Sequence, residues 1–280
     1  MKWFEGRTLA IATMHQKERV LGSLLQEALG VRVLTPAGLN TDVLGTFTGE
    51  VERQEDIRAV LRSKCRMAMD LCHTDLAVAS EGSFGPHPQI PFVPADDEAL
   101  MLMDLKNGLE IHVRELSFET NYASGVFTDW SLLEAFAQSA GFPEHGIILR
   151  TRQPDDQQMI KGITNPVHLR EGFNQLLGVC GEVQAETDMR AMFNPTRMRV
   201  IERAARKLAD RVCTICPGCA RPGFGLVRTE SGLPCSQCFA PTRSVLRAIY
   251  GCDGCGHIEK VLHPEQKQFE DPMYCNFCNP

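Results

Sequence analysis

"LAVASEGSFGPHPQIPF" occupies residues 76–92. Leu76 to Ser80 is a short unbroken run of apolar and small residues, the pattern of a strand buried on both faces. A carboxylate, two glycines, three prolines and a histidine follow it directly. In open α/β sheets, ligands sit outside the carboxyl ends of such strands. The run is therefore read as a core strand of an α/β domain, and Ser80–Phe92 as a stiff loop. That loop places Glu81 beside a ligand, with Gly82 letting the ligand approach the backbone. The plainer alternatives are a solvated Glu81 and a loop histidine at His87.

The flanking sequence repeats this grammar. "TLAIAT" (8–13) is a second buried strand, and Lys17–Leu29 carries apolar residues at helical spacing up to Gly30. "VRVL" (31–34) is a strand. Residues 50–72 form a longer helix with Ile57, Val60, Leu61, Cys65, Ala68 and Cys72 on one face. "ALMLMDL" and "GLEIHVRE" flank Asn107-Gly108, a hairpin signal. "SLLEAFAQSA", "GIILR" and "PVHLREGFNQLLG" continue as helix, strand and helix, and Asn194-Pro195 opens a last long helix. Alternating strands and helices with a hairpin predict an α/β fold with a mixed sheet and flanking helices. The boundary is set near residue 212, giving an α/β domain over 1–212 and a cysteine-rich domain over 213–280.

Nine of the 12 cysteines lie between Cys213 and Cys278. Eight form Cys-x-x-Cys pairs: Cys216/Cys219, Cys235/Cys238, Cys252/Cys255 and Cys275/Cys278. Fifteen residues separate the first two pairs and 19 the last two, within the spacing of a four-thiolate zinc site. Two structural Zn2+ ions are expected, because four thiolates leave no open coordination position for catalysis. Sequential pairing gives tandem ribbons, and crossed pairing gives a cross-braced module. Cys213 is a spare thiol.

The chain has 280 residues, 43% of them apolar, and a net charge of −6. The charge is uneven: residues 196–250 hold ten Lys and Arg against three Asp and Glu. Such a stretch faces a phosphate-bearing ligand or is a solvated Arg-rich helix. No apolar run approaches the ~20 residues of a membrane span. The first residues lack a secretory signal pattern, so a cytoplasmic protein is expected.

Other polar groups gather near strand ends. Thr13, His15 and Lys17 stand where the first strand meets a helix, a natural anion site. Glu50 begins the second helix, where it either ligates a hard cation such as Mg2+ or caps the helix and offsets its dipole. Asp188, Arg190, Asn194 and Arg197 surround the start of the last helix, where an arginine can clamp a phosphate or close a local ion-pair network.

Two resemblances add to this. "GTFTGEVER" (45–53), "SEGSFGPHP" (80–88), "ETDMRAMFNPTRM" (186–198) and "YCNFCNP" (274–280) resemble a family of bacterial proteins of unknown function over nearly the whole chain. More remotely, the order of Ala12-Thr13 with Lys17, Glu50 with Lys64, Ser80-Glu81-Gly82-Ser83 and Thr196-Arg197 is similar to the inosine triphosphate pyrophosphatase fold. That resemblance implies Mg2+-assisted attack of water on a nucleoside triphosphate. By that resemblance Glu50 and Glu81 would be catalytic, holding metal or activating water, and Lys17, Lys64 and Arg197 would hold phosphates; Thr13 and Arg190, from their own positions, are further phosphate-binding candidates. The competing readings are a zinc module that binds nucleic acid or protein on a silent scaffold, and a purely structural zinc tail that packs on the α/β domain or makes a homodimer.

Overall fold

A computed structural model describes residues 2–39, 56–152 and 158–280. The chain divides into two compact units, Met1–Leu208 and Ala209–Pro280. The fold is α/β with a mixed sheet and flanking helices, followed by the cysteine-rich unit.

The first unit begins with β1 (Thr8–Ala12), α1 (Glu18–Leu29), β2 (Arg32–Leu34), α2 (Ile57–Cys72), β3 (Leu76–Pro86), β4 (Pro94–Asp104) and β5 (Leu109–Ser117). These strands form a five-stranded sheet in the order β2-β1-β3-β4-β5. β1 runs parallel to β2 and β3, whereas β3, β4 and β5 are mutually antiparallel neighbours. Small side chains explain how α2 reaches the sheet. Leu61, Cys65, Ala68 and Met69 pack on Ala10, Ala12, Ala77, Ala79 and Ala99, together with Met101 and Met103. The methyl-sized sheet residues leave room for the helix's larger ones.

β3 corrects the sequence reading. It runs through Pro86, so Glu81–Pro86, expected as loop, is strand paired with β4. β1 stops at Ala12, opposite Ala79. Beyond that register β3 keeps β4 as its partner, and the turn into α1 fills the place β1 has vacated. Only after Pro86 does the chain leave the sheet, and His87 there stacks on Phe118 with ring centroids 4.5 Å apart.

A second sheet lies in the same unit. β6 (Ser124–Phe127), α3 (Trp130–Ser139), β7 (Ile147–Arg150), β8 (Met159–Ile163), α4 (Pro166–Cys180) and β9 (Val183–Thr187) form an antiparallel sheet ordered β6-β9-β7-β8. Leu133 and Ala137 of α3 and Leu169, Phe173 and Leu176 of α4 bury its apolar face. α5 (Pro195–Cys213) then begins with Asn194 as its cap, the side-chain oxygen accepting the Arg197 N–H at 2.9 Å. Its basic residues are largely engaged: Arg199 and Arg203 bind Glu119, Arg203 and Lys207 bind Glu115, and Arg206 binds Glu202. The Arg-rich stretch thus spends much of its charge within the protein.

The amino end of the sheet is tied by Arg7. It makes a bidentate bond to Asp104 at 2.7 and 2.8 Å, and bonds Asp75 at 2.7 Å. Asp104 is fully buried. Burial pushes its pKa up, but hydrogen bonds from Arg7 and Asn107 outweigh this and hold it below the ordinary carboxylate value. A depressed carboxylate stabilises the fold above its unfolded pKa and loses that contribution on acidification. Arg7→Leu strands the Asp104 charge and is expected to cost about 3 kcal/mol. Urea denaturation at neutral pH measures this, and the difference from wild type should shrink as the pH falls into the carboxylate range.

Candidate functional site

At the end of β1, the Thr13 hydroxyl accepts the N–H groups of His15 and Lys17, both at 3.3 Å. This bond turns the chain into α1 and buries Lys17. The ammonium reaches β3, donating to the Ser80 hydroxyl at 2.9 Å. Burial, then the nearby charge of Arg197, lowers the Lys17 pKa to about 7, Lys64 adding to the effect and Glu98 and Glu81 opposing it. His15 is lowered to about 4, first by burial and then by Lys17, Arg197 and Arg190. The histidine is therefore neutral at pH 7.

Residues alternate across a strand. Ser80, Gly82 and Phe84 share one face of β3, and Glu81 takes the other, toward α2. On the first face Arg197 is the largest fully buried side chain of the described residues. Its Nε donates to Glu98 Oε1 at 2.6 Å, another nitrogen to the Met189 carbonyl, and its guanidinium lies 5.0 Å from the centre of the Phe84 ring. Gly82 makes this possible. A Cβ there would fall 2.5 Å from Glu98 Oε1 and 2.6 Å from the Arg197 guanidinium. On the α2 face, Lys64 forms a short, buried ion pair with Glu81.

The expected site residues thus divide. Lys17 and Arg197 come together over one face. Lys64 and Glu81 pair on the other, near enough for their charges to act on Lys17. Arg190 is committed to Asp188, which it grips through Nε at 3.0 Å and its terminal nitrogen at 2.6 Å, while covering Phe193 at 4.6 Å. Glu50 lies outside the described residues.

Two carboxylates escaped the sequence reading. Asp96 and Glu98 of β4 pair with Phe84 and Gly82 and are fully buried. Burial, then the charge of Glu98, raises the Asp96 pKa to about 8 against the pull of Arg197 and Lys17. The signal was present: in "ADDEALML" both are in phase with Leu100 and Leu102, which point into the core.

The second unit is built on β10 (Gly225–Ser231), β11 (Val245–Gly251) and β12 (Ile258–Leu262), an antiparallel sheet. The thiols of Cys216, Cys219, Cys252 and Cys255 converge within 4.8 Å, and so do those of Cys235, Cys238, Cys275 and Cys278. The pairing is crossed. Sulfur separations are 3.7 Å for Cys216–Cys255 and Cys219–Cys252, 3.8 Å for Cys235–Cys278 and 3.6 Å for Cys238–Cys275. A tetrahedron with Zn–S bonds of about 2.3 Å has edges of about 3.8 Å, whereas a disulfide needs about 2.05 Å. Backbone N–H groups of Gly218 and Gln237 donate to the sulfurs of Cys216 and Cys235 at 3.3 and 3.4 Å. The residues after three of the knuckles, Ala220, Phe239 and Gly256, take the left-handed conformation that closes them. The two groups of four cysteines fit two structural zinc ions.

The molecule is thus a mixed α/β unit followed by a double zinc ribbon of crossed ligation. It belongs to the family defined by the domain of unknown function DUF6671, whose model matches residues 64–280. No curated protein matches the chain.

The metal assignment is directly measurable. The purified chain is expected to release two Zn2+ on thiol modification. After exchange with 113Cd, one resonance should correlate with the β-protons of Cys216, Cys219, Cys252 and Cys255. Correlations joining Cys216 to Cys235 would refute the crossed pairing.

Proposed function

We propose that the α/β unit binds a phosphate-bearing ligand, of the nucleotide class, at the end of β1, and that the double zinc ribbon is structural. One observation carries this reading: Lys17 is a buried ammonium whose donor contact is a hydroxyl, held in the field of Arg197 and Lys64 at the amino end of α1. Burial first, and then the positive charges of Arg197 and Lys64, depress its pKa against the opposing Glu98 and Glu81, and among the described residues no carboxylate bonds it directly. A phosphate there supplies the missing negative charge and meets the helix dipole as well.

Hydrolysis of a nucleoside triphosphate is the reaction class that the resemblance implies, with Glu81 as its catalytic carboxylate, although the ion pair with Lys64 holds Glu81 on the face of β3 opposite Lys17, so binding is the stronger part of the reading. Mg2+ is the accompanying ion, since hard oxygen ligands select it. The zinc unit weighs less as a nucleic-acid reader. Residues 209–280 hold seven Lys and Arg against seven Asp and Glu, and thiolate ligands make each four-thiolate zinc group a further net negative charge. Exposed Phe239, Tyr274 and Phe277 suit a protein partner better.

Calorimetric titration of the zinc-loaded chain with pyrophosphate and a panel of nucleoside triphosphates tests the reading. Lys17→Met removes a buried charge of similar volume and is expected to keep the fold while weakening binding about tenfold or more. The pH profile gives an independent readout. The anion binds the protonated lysine, so wild-type affinity should fall as the pH rises from 7 to 9, with proton uptake on binding. A flat profile, or full binding by Lys17→Met, sinks the assignment. Glu81→Gln is expected to abolish Mg2+-dependent pyrophosphate release from the nucleotide that binds. Absence of release in wild type would leave a binding protein rather than a hydrolase.

A further inference from the structure

We propose that Asp96 and Glu98 form a two-carboxylate site for a divalent cation of the Mg2+ class, which completes its shell with water and with phosphate oxygens held by Lys17. The inference deepens the phosphate-binding reading and rests on it for the second half of the coordination shell.

The two residues stand two apart on β4, so their side chains leave the same face of the sheet. Both are fully buried. Glu98 Oε1 is occupied by Arg197. The other three oxygens, both of Asp96 and Oε2 of Glu98, have no hydrogen-bond partner among the described residues. Burying a carboxylate without a partner is costly, and buried polar groups are ordinarily satisfied. Three open oxygens on two neighbouring acids are too many for a single shared proton. A hard cation satisfies all three at once.

The chemistry selects the ion. Carboxylate oxygens suit Mg2+ and Mn2+, whereas the thiolate groups of the second unit suit Zn2+. Mg2+ is commonly held by one or two carboxylates plus substrate phosphates and retained waters. Arg197 and Lys17 beside the pair belong to that scheme, because the phosphates they attract are the ligands the ion lacks. Gly82 contributes by absence, as the space a Cβ would take is filled by Glu98 Oε1 and the Arg197 guanidinium. The site is distinct from Glu81, which lies on the opposite face of β3 against Lys64.

The experiment uses the full zinc-loaded chain and Mn2+ as probe, with bound ion read from the loss of the free-ion paramagnetic resonance signal. One Mn2+ should bind, more tightly when inorganic pyrophosphate is present. Asp96→Asn should weaken that binding about tenfold or more. The same variant should melt at a higher temperature than wild type in metal-free buffer at pH 9, where Asp96 of the wild type is ionised, because a buried charge without a hydrogen-bond partner has gone. Mg2+ should then raise the melting temperature of wild type and not of the variant. Asp97→Asn, at the neighbouring position bonded to Arg114, controls for general loss of acidity and should keep the ion. Glu98→Gln should also lose the ion but melt lower, since it weakens the Arg197 pair. Mn2+ binding undiminished in Asp96→Asn, or no Mn2+ bound in the presence of bound pyrophosphate, overturns the proposal. Pyrophosphate bound without the ion leaves the phosphate site standing, whereas Mn2+ bound by wild type with no affinity for pyrophosphate keeps the carboxylate site and removes the phosphate reading.

Discussion

The first unit depends on the buried pair of Arg197 and Glu98. Both side chains are fully shielded from solvent, where either charge alone would cost several kcal/mol. The pair joins the first turn of α5 to the centre of β4. It also explains three choices along the chain: glycine at 82, a capping asparagine at 194 that orients the first turn, and a carboxylate at an inward position of a core strand. A further guanidinium hydrogen bond, to the Met189 carbonyl, brings the segment after β9 to the same point. Two sheets and a helix are therefore indexed to one side chain. The cost of burying it is offset only while all of these partners hold their places.

The second unit follows from a different constraint. Its sheet has three antiparallel strands, so each knuckle falls at the opposite end from the one before. The knuckle at Cys216 precedes β10, and the knuckle at Cys252 joins β11 to β12. Both lie at the end where Gly225, Gly251 and Ile258 are in register. The knuckles at Cys235 and Cys275 lie at the end marked by Ser231, Val245 and Leu262. Crossed ligation is thus a consequence of strand alternation. The apolar cluster at the first site is small, with Phe224 and Tyr250 packed against Cys216, Cys219 and Cys252. Metal coordination takes over the role a larger core would have.

Much of this was legible from sequence, and what was not has physical reasons. Apolar periodicity marked α1, α2 and the hairpin because those segments bury one continuous face. The eight ligands were legible because thiolate pairs at that spacing have one dominant use. Their partition was not, because β10 and β12 are mostly exposed and carry little apolar alternation. β3 was cut short at Ser80, since glycine and proline punctuate strands in general, yet here Gly82 stays in the ladder to make room for an arginine. Asp96 and Glu98 were overlooked for a related reason. Acidic residues ahead of a strand read as solvated until their phase with Leu100 is noticed, and their burial depends on Arg197, a hundred residues away.

Crossed ligation also sets an order on biosynthesis. The first site opens at Cys216 and closes only when Cys255 has been made. By then the second site has already displayed Cys235 and Cys238, and it waits for Cys275 and Cys278. A nascent chain therefore presents the ligand thiols of Cys216, Cys219, Cys235 and Cys238 before either native set is complete. The nearest four in sequence, Cys216 to Cys238, would form the wrong set. Tandem ribbons load each metal as the chain lengthens. Here a zinc ion captured early by Cys216 to Cys238 would have to exchange half its ligands before the sheet could form.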